Sequence, residues 1–247
     1  MTTFNADQWL TESLRITVFP CRLEDIGSEL DWEKLLGEAP ESVEDQPRNK
    51  YKVSRGPFGE GQLVHARYPD RIELIYATSI GPSPTESFPN LGPMRSSLDI
   101  FGPTALRWIE GLPPIKRIAF GPSLIKPVGS HEEAYKYLGS LLHDVSLDVA
   151  SSDFSYQINR PRKSRAKSDL KINRLSKWNA IKLRGLRVVG VDIALTIPLP
   201  EKYAARAEMD INTDQELTDE LPSKDLPALF NELVELSREI LEAGDIP

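Results

Sequence analysis

Cysteine is almost absent from this chain of 247 residues. Cys21 alone can form neither an intramolecular disulfide nor a cysteine-based zinc cage, and it reads as a small half-buried side chain near a strand end. Histidine is scarce as well. His65, His131 and His143 show neither HxH nor HExxH spacing, so no metal centre is expected. His131 and His143 fall instead in the first and last turns of one helix, and at the latter end the helix dipole favours a cation. No run of eighteen apolar residues occurs, and MTTFNADQWLTESL carries acids and amides where a signal peptide needs basic and then apolar residues. A cytoplasmic protein that does not enter the membrane is expected.

Catalytic signatures are missing too. There is no GxSxG elbow, P-loop or dinucleotide fingerprint. Gly56-Pro57-Phe58-Gly59-Glu60-Gly61 lacks a strand-to-helix context, and Pro57 removes an amide donor, so it is a hairpin turn rather than a phosphate loop. No cofactor is expected. Asp210-Ile211-Asn212-Thr213-Asp214-Gln215-Glu216 opens like a calcium loop, but Gln215 stands where the sharp turn needs glycine and Leu221 where the bidentate glutamate belongs. Asp210, Asp214 and Glu216 are therefore the place to look for an acidic enzyme site, the least favoured of three functional readings.

What is present is an ordinary globular composition, 40% hydrophobic and 27% charged, which supports a buried core over residues 1–247. Asn5 and Gln8 suggest a capped short helix, and Leu14, Ile16 and Val18 a strand ending at Pro20. A second short helix is expected over Asp31–Gly37, followed by an exposed connector, GEAPESVEDQPRNK. KYKVSRG, EGQLVHARYP and DRIELIYATS are then spaced as an antiparallel meander. IGPSPTESFPNLGP is a proline-rich loop. A helix is expected to start sharply at Gly102–Pro103 and stop at Gly111. IKRIAFGPSLIKPV reads as a strand bulged at Gly121–Pro122. Ser130-His131-Glu132-Glu133 then caps a helix with Ala134, Leu138, Leu141, Leu142 and Val145 on one face.

The second half follows the same plan loosely. Strands are expected at FSYQINR, LKINRLSKWNAIKLRG, VDIALTIPLP and YAARAEMDINT, with Pro198 placing the third at an edge or outside the sheet. A final helix runs from about Pro222 to Gly244 with an apolar stripe from Leu226 to Leu241. Strands grouped by short turns, with helices following the groups, indicate an α+β fold: one or two curved antiparallel sheets covered on one side by helices. Two loosely repeated meander-plus-helix halves would correspond to subdomains 1–147 and 148–247. No residue-level repeat is visible between them.

Charge is distributed unevenly. Residues 151–190 hold eleven Lys or Arg against two acids, whereas residues 201–247 hold thirteen acids against four bases. The basic run centres on SYQINRPRKSRAKSDLKINRLSKW. Its hairpin tip carries Arg160, Arg162, Lys163, Arg165 and Lys167, and the following strand carries Lys171, Arg174 and Lys177 beside Trp178. Such cations can neutralise phosphates, and Tyr156 and Trp178 could stack on unpaired bases. Pro161 and the serines equally describe a solvated hairpin tip. Strand alternation also sets Phe154, Tyr156 and Ile158 on one face, where aromatics are usually core. The acidic last helix, with Glu232, Glu235, Glu239 and Glu242, is a ready internal or intersubunit partner.

The order of motifs, from the meander through the helix at Leu106–Ile109 and IKRIAFGPSLIKPV to the ending AEMDINT…LPALFNELVELSREI, resembles a sporadically distributed family of bacterial proteins. Members of that family commonly end in an "LDID"-like strand followed by a Leu- and Glu-rich helix. The resemblance implies a bacterial cytosolic protein, patchily inherited, of the kind carried on mobile or defence-related cassettes, and it transfers no site residues. The leading expectation is a non-enzymatic binding or accessory protein that engages a macromolecular protein partner. The alternative is a nucleic-acid-binding protein that uses residues 160–182. Homo-oligomerisation is left open by the wide apolar stripe of the last helix.

Overall fold

A computed structural model describes residues 6–22, 31–79, 87–184, 186–189, 195–198, 200–214, 216 and 219–245. The expected cap at Asn5 and the apolar positions Val191 and Ile193 lie outside the described residues. Twelve strands and four helices follow one another as β1 (Leu10–Pro20), α1 (Trp32–Leu36), β2 (Ser42–Gln46), β3 (Tyr51–Phe58), β4 (Gly61–Arg67), β5 (Ile72–Ala77), α2 (Met94–Glu110), β6 (Ile115–Val128), α3 (His131–Leu141), β7 (Ser155–Asn159), β8 (Arg162–Lys163), β9 (Lys171–Leu183), β10 (Leu186–Val189), β11 (Leu195–Pro198), β12 (Lys202–Thr213) and α4 (Leu226–Ala243). The fold is α+β, as its pattern implied.

Ten strands form a single open antiparallel sheet in the order β2-β3-β4-β5-β1-β6-β12-β9-β7, with β8 also on β9. Alternation dictates which face is dry. Leu14, Ile16 and Val18 of β1, Ile118, Phe120 and Leu124 of β6, and Ala207 and Ile211 of β12 point to one side and are fully buried. The apolar stripes of the helices cover that side. Leu226, Leu229, Phe230, Leu233, Leu236, Ile240 and Leu241 of α4 recur at helical spacing and are all buried, each worth about 1.5–3 kcal/mol of transfer free energy. Ser130 caps α3 as expected, its Oγ accepting from the Glu133 amide at 3.2 Å. The Glu133 carboxylate reaches back to the Gly129 amide at 2.8 Å.

Three elements depart from sequence expectation. Helix α2 begins at Met94, not at Gly102, and runs through Pro103. Burial of Met94 and Phe101, together with the Ser97 hydroxyl bonded to the Leu91 and Pro93 carbonyls, holds the turn that the proline would otherwise have cost. The connector at 37–50 contains β2, whose five residues are all exposed; backbone pairing to β3, rather than an apolar period, makes it a strand. Strand β6 is continuous at Gly121–Pro122, and its pairing with β1 is irregular elsewhere, where Glu12 of β1 and Lys116 of β6 are the extra residues. On its other side the pairing lapses where Met209 and Asp210 face Pro122 and Gly121, because Pro122 has no amide to donate. Strand β11, which ends at Pro198, pairs only with β10 in a hairpin separate from the main sheet, as that proline implied.

The order and pairing of elements repeat within the sheet. In each half a first strand leads through a helix to later strands and a closing helix: β1, α1, β3, β4, β5, α2 and then β6, α3, β7, β9, β12, α4. In both, the last strand pairs with the first and the others follow outward. Residues 111–114 join the halves, and α3 belongs with the strands after it. The two first strands meet at the centre of the sheet, Arg15 opposite Gly121, Thr17 opposite Ala119 and Phe19 opposite Arg117. An approximate twofold at Thr17–Ala119 therefore equates Arg15-Ile16-Thr17-Val18-Phe19-Pro20 with Arg117-Ile118-Ala119-Phe120-Gly121-Pro122. Arg, Ile and Pro recur in place. Six residues with three identities are invisible as a repeat until the register aligns them.

Candidate binding surface

The basic hairpin is held by the acidic helix that follows it in the chain. The turn between β8 and β9 packs its backbone on α4: Glu232 accepts from the Arg165 amide at 2.6 Å, the Ala166 amide at 3.1 Å and the Ser164 hydroxyl. Glu239 accepts from Arg162 at 2.7 Å and Arg165 at 2.6 Å, with Arg174 at 3.9 Å. Burial alone would raise the Glu239 pKa, but the hydrogen bond from Arg165 and the charges of Arg162, Arg165 and Arg174 outweigh it, and the carboxylate is held below its ordinary range. Arg160 is bound by Asp245, and reaches Asp144 at 3.2 Å. Tyr156 donates to the same Asp245 at 2.8 Å.

Further along, Lys171 lies 3.9 Å from Asp214 and Lys177 3.5 Å from Glu208. Arg174 and Trp178 point to the helix side and are buried, so neither presents a surface to a ligand. Among the hairpin cations, Lys163 and Lys167 carry no ion pair to a described residue. Replacing Glu232 with alanine should free the tip: amide exchange at Arg165 and Ala166 should accelerate by at least tenfold while α4 keeps its protection. Unchanged exchange at these two amides would show that the carboxylate does not hold the turn.

The acids and histidines are dispersed. Asp210 accepts from Asn212 at 3.1 Å, and Asp214 from the Glu216 amide at 3.2 Å. Among the described residues no three His, Cys, Asp or Glu side chains group as a metal would require. His65 is buried edge-on to Trp108, and burial, aided by Arg67, lowers its pKa to about 4, so it is neutral at pH 7. His131 packs on Tyr135 with its Nε2 3.0 Å from the Ser151 carbonyl.

The opposite face of the sheet carries no helix among the described residues. Its floor is a row of short side chains in direct register, Val53, Ala66, Glu73, Thr17, Ala119 and Asn212, each at most 6% exposed. Longer side chains rise on either side. Arg55, Arg15 and Asp210 stand along one margin, and Arg71 and Arg117 along the other. Most charges here are matched: Arg71 holds Glu73 at 2.9 Å, and Arg206 holds Glu12 at 2.6 Å and Glu208 at 2.9 Å. Among the described residues Arg15, Arg55 and Arg117 make no ion pair. The Nε atoms of Arg15 and Arg117 are buried without any acceptor. Arg117 stacks on Phe19 at 4.7 Å; burial lowers its pKa, with Asp210 and Asp214 opposing the effect.

Arg15 borders a depression of about 490 Å³ together with Ser13, Ser123, Lys177, Arg206 and Asp210. Glycine at 121 makes room for it, since a Cβ there would lie 3.1 Å from both the guanidinium and the Met209 carbonyl. These residues come from β1, β6, β9 and β12, far apart in sequence, and only the RI…P echo between β1 and β6 could have signalled them. No family model, curated protein or solved structure is matched by this chain. No helix among the described residues is long and apolar enough to cross a membrane.

Proposed function

We propose that this chain is a binding or accessory protein whose helix-free sheet face docks a partner protein through an acidic segment. One observation carries the reading. On that face the acids Glu12, Glu73, Glu208 and Asp210 already have partners within the fold, whereas Arg15, Arg55 and Arg117 have no ion pair among the described residues. An arginine donor buried without an acceptor is costly, and a carboxylate satisfies its planar fork bidentately. Charge complementarity thus favours an acidic occupant. Nucleic acid is less suited: the chain carries a net charge of −7, and four hairpin and strand cations, Arg160, Arg162, Arg165 and Lys177, are engaged by its own acids.

Fluorescence anisotropy with a labelled Glu-rich peptide, a Lys-rich peptide and single- and double-stranded oligonucleotides, each at low and moderate salt, tests this. Binding of the Glu-rich peptide alone, weakened at least tenfold by the double change Arg15→Ala, Arg117→Ala, is expected. Failure of the Glu-rich peptide to bind overturns the reading. So does tighter oligonucleotide binding that is lost when Lys163 and Lys167 become alanine.

A further inference from the structure

We infer that Arg15 and Arg117 form a two-seat carboxylate clamp, related by the internal twofold, that receives two acidic side chains of one extended segment. The inference rests on the docking reading above and adds the spacing and the chemistry of the contact. Three observations converge on it. The two arginines occupy equivalent positions of the repeated Arg-Ile-x-x-x-Pro strands and point to the same face. Both have a buried Nε that finds no acceptor among the described residues. Between them lie Thr17 and Ala119, small and nearly buried, so nothing rises from the floor to separate the seats.

Register sets the distance. Arg15 faces Gly121, which is four residues from Arg117 along β6, so the seats are about 13 Å apart along the strand direction at 3.3 Å per residue. An extended peptide repeats the same rise, and its residues i and i+4 project from one side. A Glu-x-x-x-Glu segment lying along β1 and β6 therefore places a carboxylate at each guanidinium. The seats are unequal. Arg15 stands over glycine beside the depression, whereas its mate is packed on Phe19, with Asp210 and Asp214 near enough to oppose a second anion. Arg15 should hold its carboxylate more tightly.

Peptides of equal composition bearing two glutamates at i,i+2, i,i+4 or i,i+6 separate these ideas, titrated against the full chain and against Arg15→Ala, Arg117→Ala and Arg15→Lys. The i,i+4 peptide should bind about tenfold more tightly than the others. Either alanine variant should abolish that preference, with the larger loss at Arg15, and lysine at 15 should not restore it because it lacks the planar fork. Thermal melts matching the unaltered protein show that the variants remain folded. Binding that ignores glutamate spacing, or a preference that survives both alanine variants, overturns the clamp while leaving the docking reading intact. No binding of any acidic peptide removes both.

Discussion

Trp178→Ala should lower the unfolding free energy by about 3–5 kcal/mol, a large part of the roughly 5–15 kcal/mol that holds a domain together. The indole is fully buried on the helix side of β9 and meets Trp9 edge-on at 6.0 Å. Trp9 continues the contact to Tyr137 of α3 at 5.7 Å. Its Nε1 donates to the Ser176 hydroxyl at 3.1 Å, so its polar atom is satisfied inside the core. Removing the ring leaves a cavity between the sheet and α3 and strips the Ser176 hydroxyl of its donor. Trp178→Phe should cost clearly less because most of the volume remains. Urea denaturation of both variants measures the difference. A stacking role for this residue would produce the opposite pattern, unchanged midpoints with weakened ligand binding.

Asp245→Asn should cost about 2 kcal/mol at pH 7, on the scale of hydrogen bonds to charged groups, and should also reshape the acid limb of the stability curve. The Asp245 side chain is 4% exposed, yet it accepts from Tyr156 of β7 and from Arg160 just beyond it, and so ties the residues after α4 to that strand. Burial by itself would raise its pKa; the hydrogen bonds from Arg160 and Tyr156 and the charges of Arg160 and Arg174 outweigh it and hold the carboxyl below its ordinary 3.8. A depressed folded pKa means that the unfolded chain takes up the proton first as pH falls. The stabilisation is therefore complete above pH 3.8 and declines from there down through the folded value. Denaturation midpoints between pH 7 and pH 2 should fall less steeply for the asparagine variant over that window. Parallel curves would show that this carboxylate is not a source of acid sensitivity.

Elements whose signals are local were legible in the chain. The alternation of Leu14, Ile16 and Val18, the Ser130 cap and the Leu226–Leu241 stripe needed no tertiary information, and each lies where its pattern put it. Helix α2 starts earlier than its local signals imply for a physical reason: proline is a local penalty, and the burial of Met94 and Phe101 that offsets it depends on a sheet the local window does not contain. The connector that holds β2 shows the same limit, since an exposed edge strand owes its existence to the backbone of β3 and leaves no apolar period to read.

The candidate surface was the hardest part to read. Counting charge drew attention to Arg160–Lys167, because clustered cations stand out along a chain, while Arg15, Arg55 and Arg117 are single charges in three unremarkable strands. The sequence by itself determined the α+β class, the Ser130 cap, the acidic last helix and the buried faces of strands such as β1 and β12. These follow from residue spacing, which acts over one or two turns or a few strand residues. Only the tertiary structure decided which charges are spent and which are free. Pairing across β1, β6, β9 and β12 and the seating of α4 on the hairpin join residues as many as 194 positions apart, as in the contact of Arg206 with Glu12. An electrostatic partner is chosen by distance in space, and distance along the chain carries no record of it.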